Sequence, residues 1–92
     1  MNENEKFLRT AIEHFGNDKQ MVVCIEEMAE LTQQLSKIVI EHPNKDREKV
    51  VEEMADVEIM LNQVKIILEI DELELERYKR MKLERLKGII QP

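Results

Sequence analysis

Residues 17–41, NDKQMVVCIEEMAELTQQLSKIVIE, run for about 25 positions without Gly or Pro, and their apolar residues follow a helical rhythm. Met21, Cys24, Met28, Leu31, Leu35 and Ile38 recur at steps of three and four, as one face of an α-helix requires. Val22, Ala29 and Ile40 fall on a different side of the same helix. A single neighbour cannot cover both faces, so this helix is expected to be central, and the chain is expected to complete its core by homo-oligomerising, as a dimer or a dimer of dimers.

The flanking punctuation divides the rest of the chain. Asn2 is placed to cap a first helix, with Glu5 at capping-box distance, running to about Phe15 and stopped by Gly16. Asn17 or Asp18 caps the second helix, and Pro43 closes it. From about Lys45 a third helix carries Val50, Met54, Val57, Leu61, Val64 and Leu68 as its apolar stripe. That stripe would next meet Asp71 or Glu72, which predicts a break near Ile70. A fourth helix then starts at Asp71, with Glu74 at capping-box distance, and runs to Gly88. The reading is an all-α, four-helix, bundle-like single domain over residues 1–92.

Composition narrows the function. At 92 residues the chain supports one small core, and with 42% apolar and 37% charged residues it is neither disordered nor collagen-like. Its net charge of −6 argues against stable nucleic-acid binding, which depends on phosphate neutralisation. The charge is unevenly spread: residues 46–76 carry eleven acidic against three basic groups, residues 77–92 six basic against one acidic. The longest apolar run, Met21 to Ile25, is far short of the about 20 residues of a membrane span, and no basic-then-apolar leader precedes it; the expected location is the cytoplasm, away from membranes. One cysteine and two histidines assemble neither a disulfide nor a Cys/His zinc site. Cys24 reads as a packed thiol, Phe7 and Phe15 as core residues, and Tyr78 as a packing aromatic with a base-stacking alternative.

The chemistry lies in the acids. Glu27, Glu30, Gln34, Lys37 and Glu41 form a polar line beside the apolar stripe of the second helix, and Glu53 and Asp56 repeat the i, i+3 pair on the third. Carboxylates three apart repel when both are ionised, by a few tenths of a kcal/mol on an exposed helix and more when buried. Packed helices about 8–10 Å apart let two such pairs converge on a cation, and oxygen ligands alone favour Mg²⁺, or Mn²⁺. The same pattern also fits a salt-bridge network with lysines at a buried edge. Other pairs at this spacing, Glu69/Glu72 and Asp71/Glu74, sit in a charged run; only Glu27/Glu30 and Glu53/Asp56 are embedded in apolar sequence, CIEEMAEL and VVEEMADVEIML. A di-iron bundle would need Glu-x-x-His motifs, which neither His14 nor His42 supplies, and with only Gly16 and Gly88 no phosphate loop exists.

EEMAEL at 26–31 and EEMADVEIML at 52–61 resemble the two metal-binding helices of the MazG-like all-α nucleotide pyrophosphohydrolases, with their EExxE and ExxD segments. The AIEHFG opening and the KLERL ending look like those of short, often phage-associated members. This resemblance implies Glu27, Glu30, Glu53 and Asp56 as Mg²⁺ ligands, with Glu26 and Glu52 as the preceding acids and Glu26 or Glu27 as the proton acceptor. It implies Lys37, Lys82 and Arg85 as phosphate contacts, and Gln20 with the first helix near the base and sugar. The implied reaction is hydrolysis of a nucleoside triphosphate between the α and β phosphates. The rival is a helical adaptor that oligomerises and engages a basic partner through its acidic middle.

Overall fold

The Asn2 side chain accepts the Glu5 backbone N–H at 2.7 Å, giving a partner to one of the donors that every helix start leaves open. The computed structural model describes residues 2–41 and 46–91. Within them α1 spans Glu3–Phe15, α2 Asn17–Glu41, α3 Arg47–Ile67 and α4 Glu72–Ile90, and no strand is present among the described residues. The all-α class and the four helices expected from the sequence are those observed. Glu5 does not complete a capping box; it pairs instead with Arg9 one turn on, at 3.5 Å. Pro43 and Lys45, to which the sequence assigns the close of α2 and the start of α3, lie outside the described residues, as does His42.

Gly16 joins α1 to α2 without a linker. Its φ of +96° is a conformation that side-chain-bearing residues avoid. Its N–H donates to Ile12 at 2.7 Å while its carbonyl accepts from Gln20 at 3.1 Å, so one residue ends a helix and begins the next.

The break between α3 and α4 falls where the stripe meets charge, without a Gly or Pro to enforce it. Glu69 takes the left-handed conformation, φ +53°, that usually falls to glycine, at a cost of about 1 kcal/mol. The turn is a Schellman motif: Ile70 N–H donates to Lys65 at 2.9 Å and Glu69 N–H to Ile66 at 3.2 Å. Asp71 then caps α4 by accepting from Leu73 N–H at 3.1 Å, rather than through Glu74. Lys65 reaches across the turn to Glu72 at 3.0 Å. α4 does not stop at Gly88 but runs through it to Ile90, since a mid-helix glycine costs only about 1 kcal/mol.

α2 and α3 form the body, an antiparallel pair in which Gln20, near the start of α2, meets Gln63, near the end of α3. The inward line of α2 is Gln20, Cys24, Glu27, Leu31, Gln34 and Ile38, and that of α3 is Glu53, Val57, Met60, Val64 and Ile67; each is buried or half-buried. Both lines keep the three–four rhythm, but they are rotated from the most apolar stripes. Met28, Leu35, Met54, Leu61 and Leu68, expected inside, are exposed on the flank. α1 folds against both helices through Ile12, and its Leu8 shares a cleft with Asn62 and Ile66 of α3. Only that side of α1 finds neighbours, which corrects the core placement of two aromatics: Phe7 is 70% and Phe15 55% exposed. α4 packs against none of the other helices beyond its Lys65–Glu72 contact.

Candidate metal centre

Because the inward lines of α2 and α3 include acids, the helix pair carries carboxylates into its own contact. Glu53 is buried, Glu27 is half-buried, and Glu30 and Asp56 lie at the exposed edge one turn away on each helix. Glu27, Glu30 and Glu53 each bring one oxygen within 4.8 Å of the others. Three carboxylate oxygens gathered from two helices are the donor type that would hold one hard divalent cation. Asp56 does not place an oxygen in that group, but its charge acts on Glu27.

The electrostatics show a site short of positive charge. The Glu27 carboxyl is held above its ordinary range, first by partial burial, then by the charges of Glu30, Asp56 and Glu53. Its Oε2 is enclosed and has no hydrogen-bond partner in the protein, and the same holds for Oε2 of Glu53. The other Glu53 oxygen meets the Lys49 ammonium at 3.6 Å, a half-exposed contact that leaves the second oxygen unserved. Enclosed carboxylate oxygens without partners are costly unless something neutralises them. Hard oxygen donors, two of them orphaned, fit a divalent cation. When bound, such an ion supplies charge neutralisation for phosphate oxygens and a water of lowered pKa.

The remaining sequence-derived candidates are distributed unevenly. Glu26 and Glu52 are exposed beside the cluster's helices, outside the converging set. Gln20 is 6% exposed and donates through Nε2 to Oε1 of Gln63 at 2.7 Å; the Gln63 amide in turn lies 3.4 Å from the Met60 sulfur. Lys37 is exposed on α2 past the carboxylates, and Lys82 and Arg85 are exposed on α4, which one chain does not fold back onto α2 or α3. Two residues that bear on the site are not singled out by the sequence. Lys49 was legible as the i, i+4 partner of Glu53, whereas nothing in the spacing of Gln63 marks it as the buried partner of Gln20. Cys24 is a buried free thiol 3.9 Å from the Met28 sulfur, as a packing role requires.

No family model matches this chain, and neither curated proteins nor solved structures give a significant match. No helix among the described residues is long and apolar enough to cross a membrane.

Proposed function

We propose that this protein is a Mg²⁺-dependent nucleoside triphosphate pyrophosphohydrolase, acting in the cytoplasm as a homo-oligomer and cleaving between the α and β phosphates. The observation that carries this reading is the convergence of Glu27, Glu30 and Glu53 where two helices meet, with Glu27 and Glu53 each also keeping one enclosed oxygen without a partner. The resemblance of EEMAEL and EEMADVEIML to the MazG-like helices supplies the substrate class. Glu27, Glu30 and Glu53 hold Mg²⁺ or Mn²⁺, and Asp56 joins them by a side-chain rotation at the exposed edge. Glu27, which lies within the converging set, is the better placed of the two candidate bases; Glu26 is exposed outside the cluster. Lys37, Lys82 and Arg85 serve as phosphate contacts. Phosphate hydrolysis asks for neutralised charge and an oriented water more than for a covalent nucleophile.

The test is a panel of ribo- and deoxyribonucleoside triphosphates with Mg²⁺, read as pyrophosphate and orthophosphate separately. Pyrophosphate release lost in Glu53→Gln sustains the reading; orthophosphate release moves the reaction to the γ position; no turnover with any of them leaves the helical adaptor. That second reading is favoured by α4, a helix that its own chain leaves unpacked and open to association.

A further inference from the structure

Within Glu72–Ile90 every residue is exposed except Leu75, which is half-buried. Yet α4 does not have the pattern of a solvated arm. Leu75, Tyr78, Lys82, Leu86 and Ile89 follow at steps of three, four, four and three, a single stripe with Arg85 at its edge. The charges Arg77, Arg80, Glu84 and Lys87 fall on the opposite side, which is the side an isolated helix would show to water.

The body carries a second uncovered surface. Met28 and Leu35 of α2 are each 47% exposed, and Met54 and Leu61 of α3 are 48% and 40% exposed, forming one flank of the antiparallel pair. Two apolar surfaces in one chain thus lack a cover, and the chain does not bring them together.

The area at stake is that of an obligate interface. The chain exposes 7706 Å², whereas a folded monomer of 11.0 kDa exposes about 5,600 Å². Its radius of gyration is 16.3 Å, against about 12 Å for a compact chain of this length. The surplus, about 2,000 Å² per chain, lies within the range of about 1,000–2,500 Å² that each partner of an obligate dimer buries. Charge points to the same occupant. α4 holds six basic groups against four acidic, with Lys82 on the stripe and Lys79 and Arg85 at its edges, whereas α2 and α3 together hold ten acidic against five basic, so one copy's arm complements another copy's body.

We infer that α4 is an intersubunit arm: it lays its Leu75–Ile89 stripe on the α2–α3 flank of a second copy of this chain and receives that copy's arm in return. The exchange is isologous, each copy giving and taking the same surface, and it closes on two chains. It rests on the homo-oligomer part of the reading above and not on the metal or the reaction.

Sedimentation equilibrium of the full chain at micromolar concentration in about 0.15 M salt tests it. The expected mass is about 22 kDa, twice the 11.0 kDa of one chain, or an even multiple of it. Leu86→Asp and Met54→Asp, both at positions exposed within a single chain, should each weaken association about tenfold or more. Leu73→Gln, a change without charge at an exposed position on the far side of α4, should leave it unchanged. Should Leu86→Asp lose helical circular dichroism, Tyr78→Glu replaces it under the same criterion. A wild-type monomer overturns the inference, as does an oligomer indifferent to the α4 substitutions. A monomer that still releases pyrophosphate removes the arm and keeps the reaction; a dimer silent toward every triphosphate removes the reaction and keeps the arm.

Discussion

α3 and α4 are consecutive helices of similar length, each with an apolar line interrupted by charge, and they meet opposite fates. In α3 the interruption is acidic and lies against α2, where Glu53 is 6% exposed. In α4 it is basic, Lys82 and Arg85, and faces open solvent in a single chain. A helix face is therefore not sorted by its apolar content alone. Val57 and Met60 bury beside Glu53, while the more apolar flank of Met54 and Leu61 stays out. A chain that leaves its better stripe uncovered and turns a carboxylate inward has sites to fill on both sides.

The carboxylate side breaks hardest. Glu53→Gln should lower turnover about 10²–10³-fold, the scale seen when one preorganised stabilising group is removed from a reaction centre, with pyrophosphate release as the readout. Lys82→Gln should cost less, because a phosphate contact shared with Lys37 and Arg85 leaves two basic groups in place when one is removed. Next comes the core beside the site. Met60→Ala should destabilise the fold by about 2–4 kcal/mol in urea melts, because Met60 is 7% exposed against α2; Met81→Ala, at a position 60% exposed, should cost less than about 1 kcal/mol.

Removing the cation sharpens the same contrast. Mg²⁺ at ten times its dissociation constant should add about 1.4 kcal/mol, a rise in Tm of roughly 6–10 °C for a domain of this size, reversed by EDTA and absent in Glu27→Gln. The smallest effect concerns protons. Glu27 has a raised pKa in the fold, so the metal-free folded state binds more protons than the unfolded chain. Its stability is full below the unfolded pKa of about 4.3 and declines as pH rises through the folded value. Metal-free melts carried down from neutral pH toward that unfolded value should show Tm climbing as pH falls, and Glu27→Gln should flatten that slope while raising Tm at neutral pH by roughly 2–4 °C, about 0.5 kcal/mol.

Much of the frame was legible because it is local. Asn2, Gly16 and Asp71 act within a few residues of themselves, and each ends or begins a helix as its chemistry dictates. The pairing of Glu27 and Glu30 with Glu53 was legible because helical spacing and apolar context are both sequence properties. Three features were not. The rotation of α2 and α3 depends on which surface finds a neighbour, and Met54 and Leu61 have none within one chain. The exposure of Phe7 and Phe15 has the same origin, since α1 meets the body along one narrow line. The hydrogen bond between Gln20 and Gln63 joins residues 43 positions apart, and no periodicity announces it.

That bond has one more consequence. Gln20 and Glu27 are two turns apart on α2, about 10 Å along its axis at 1.5 Å per residue, so the paired amides act as a register pin for the acids. Sliding one helix past the other by a turn would strand both amides in a dry interior and, in the same movement, pull Glu53 out of reach of Glu27. Alignment of the two rods is thereby set at a distance, by uncharged groups that never touch whatever the acids hold.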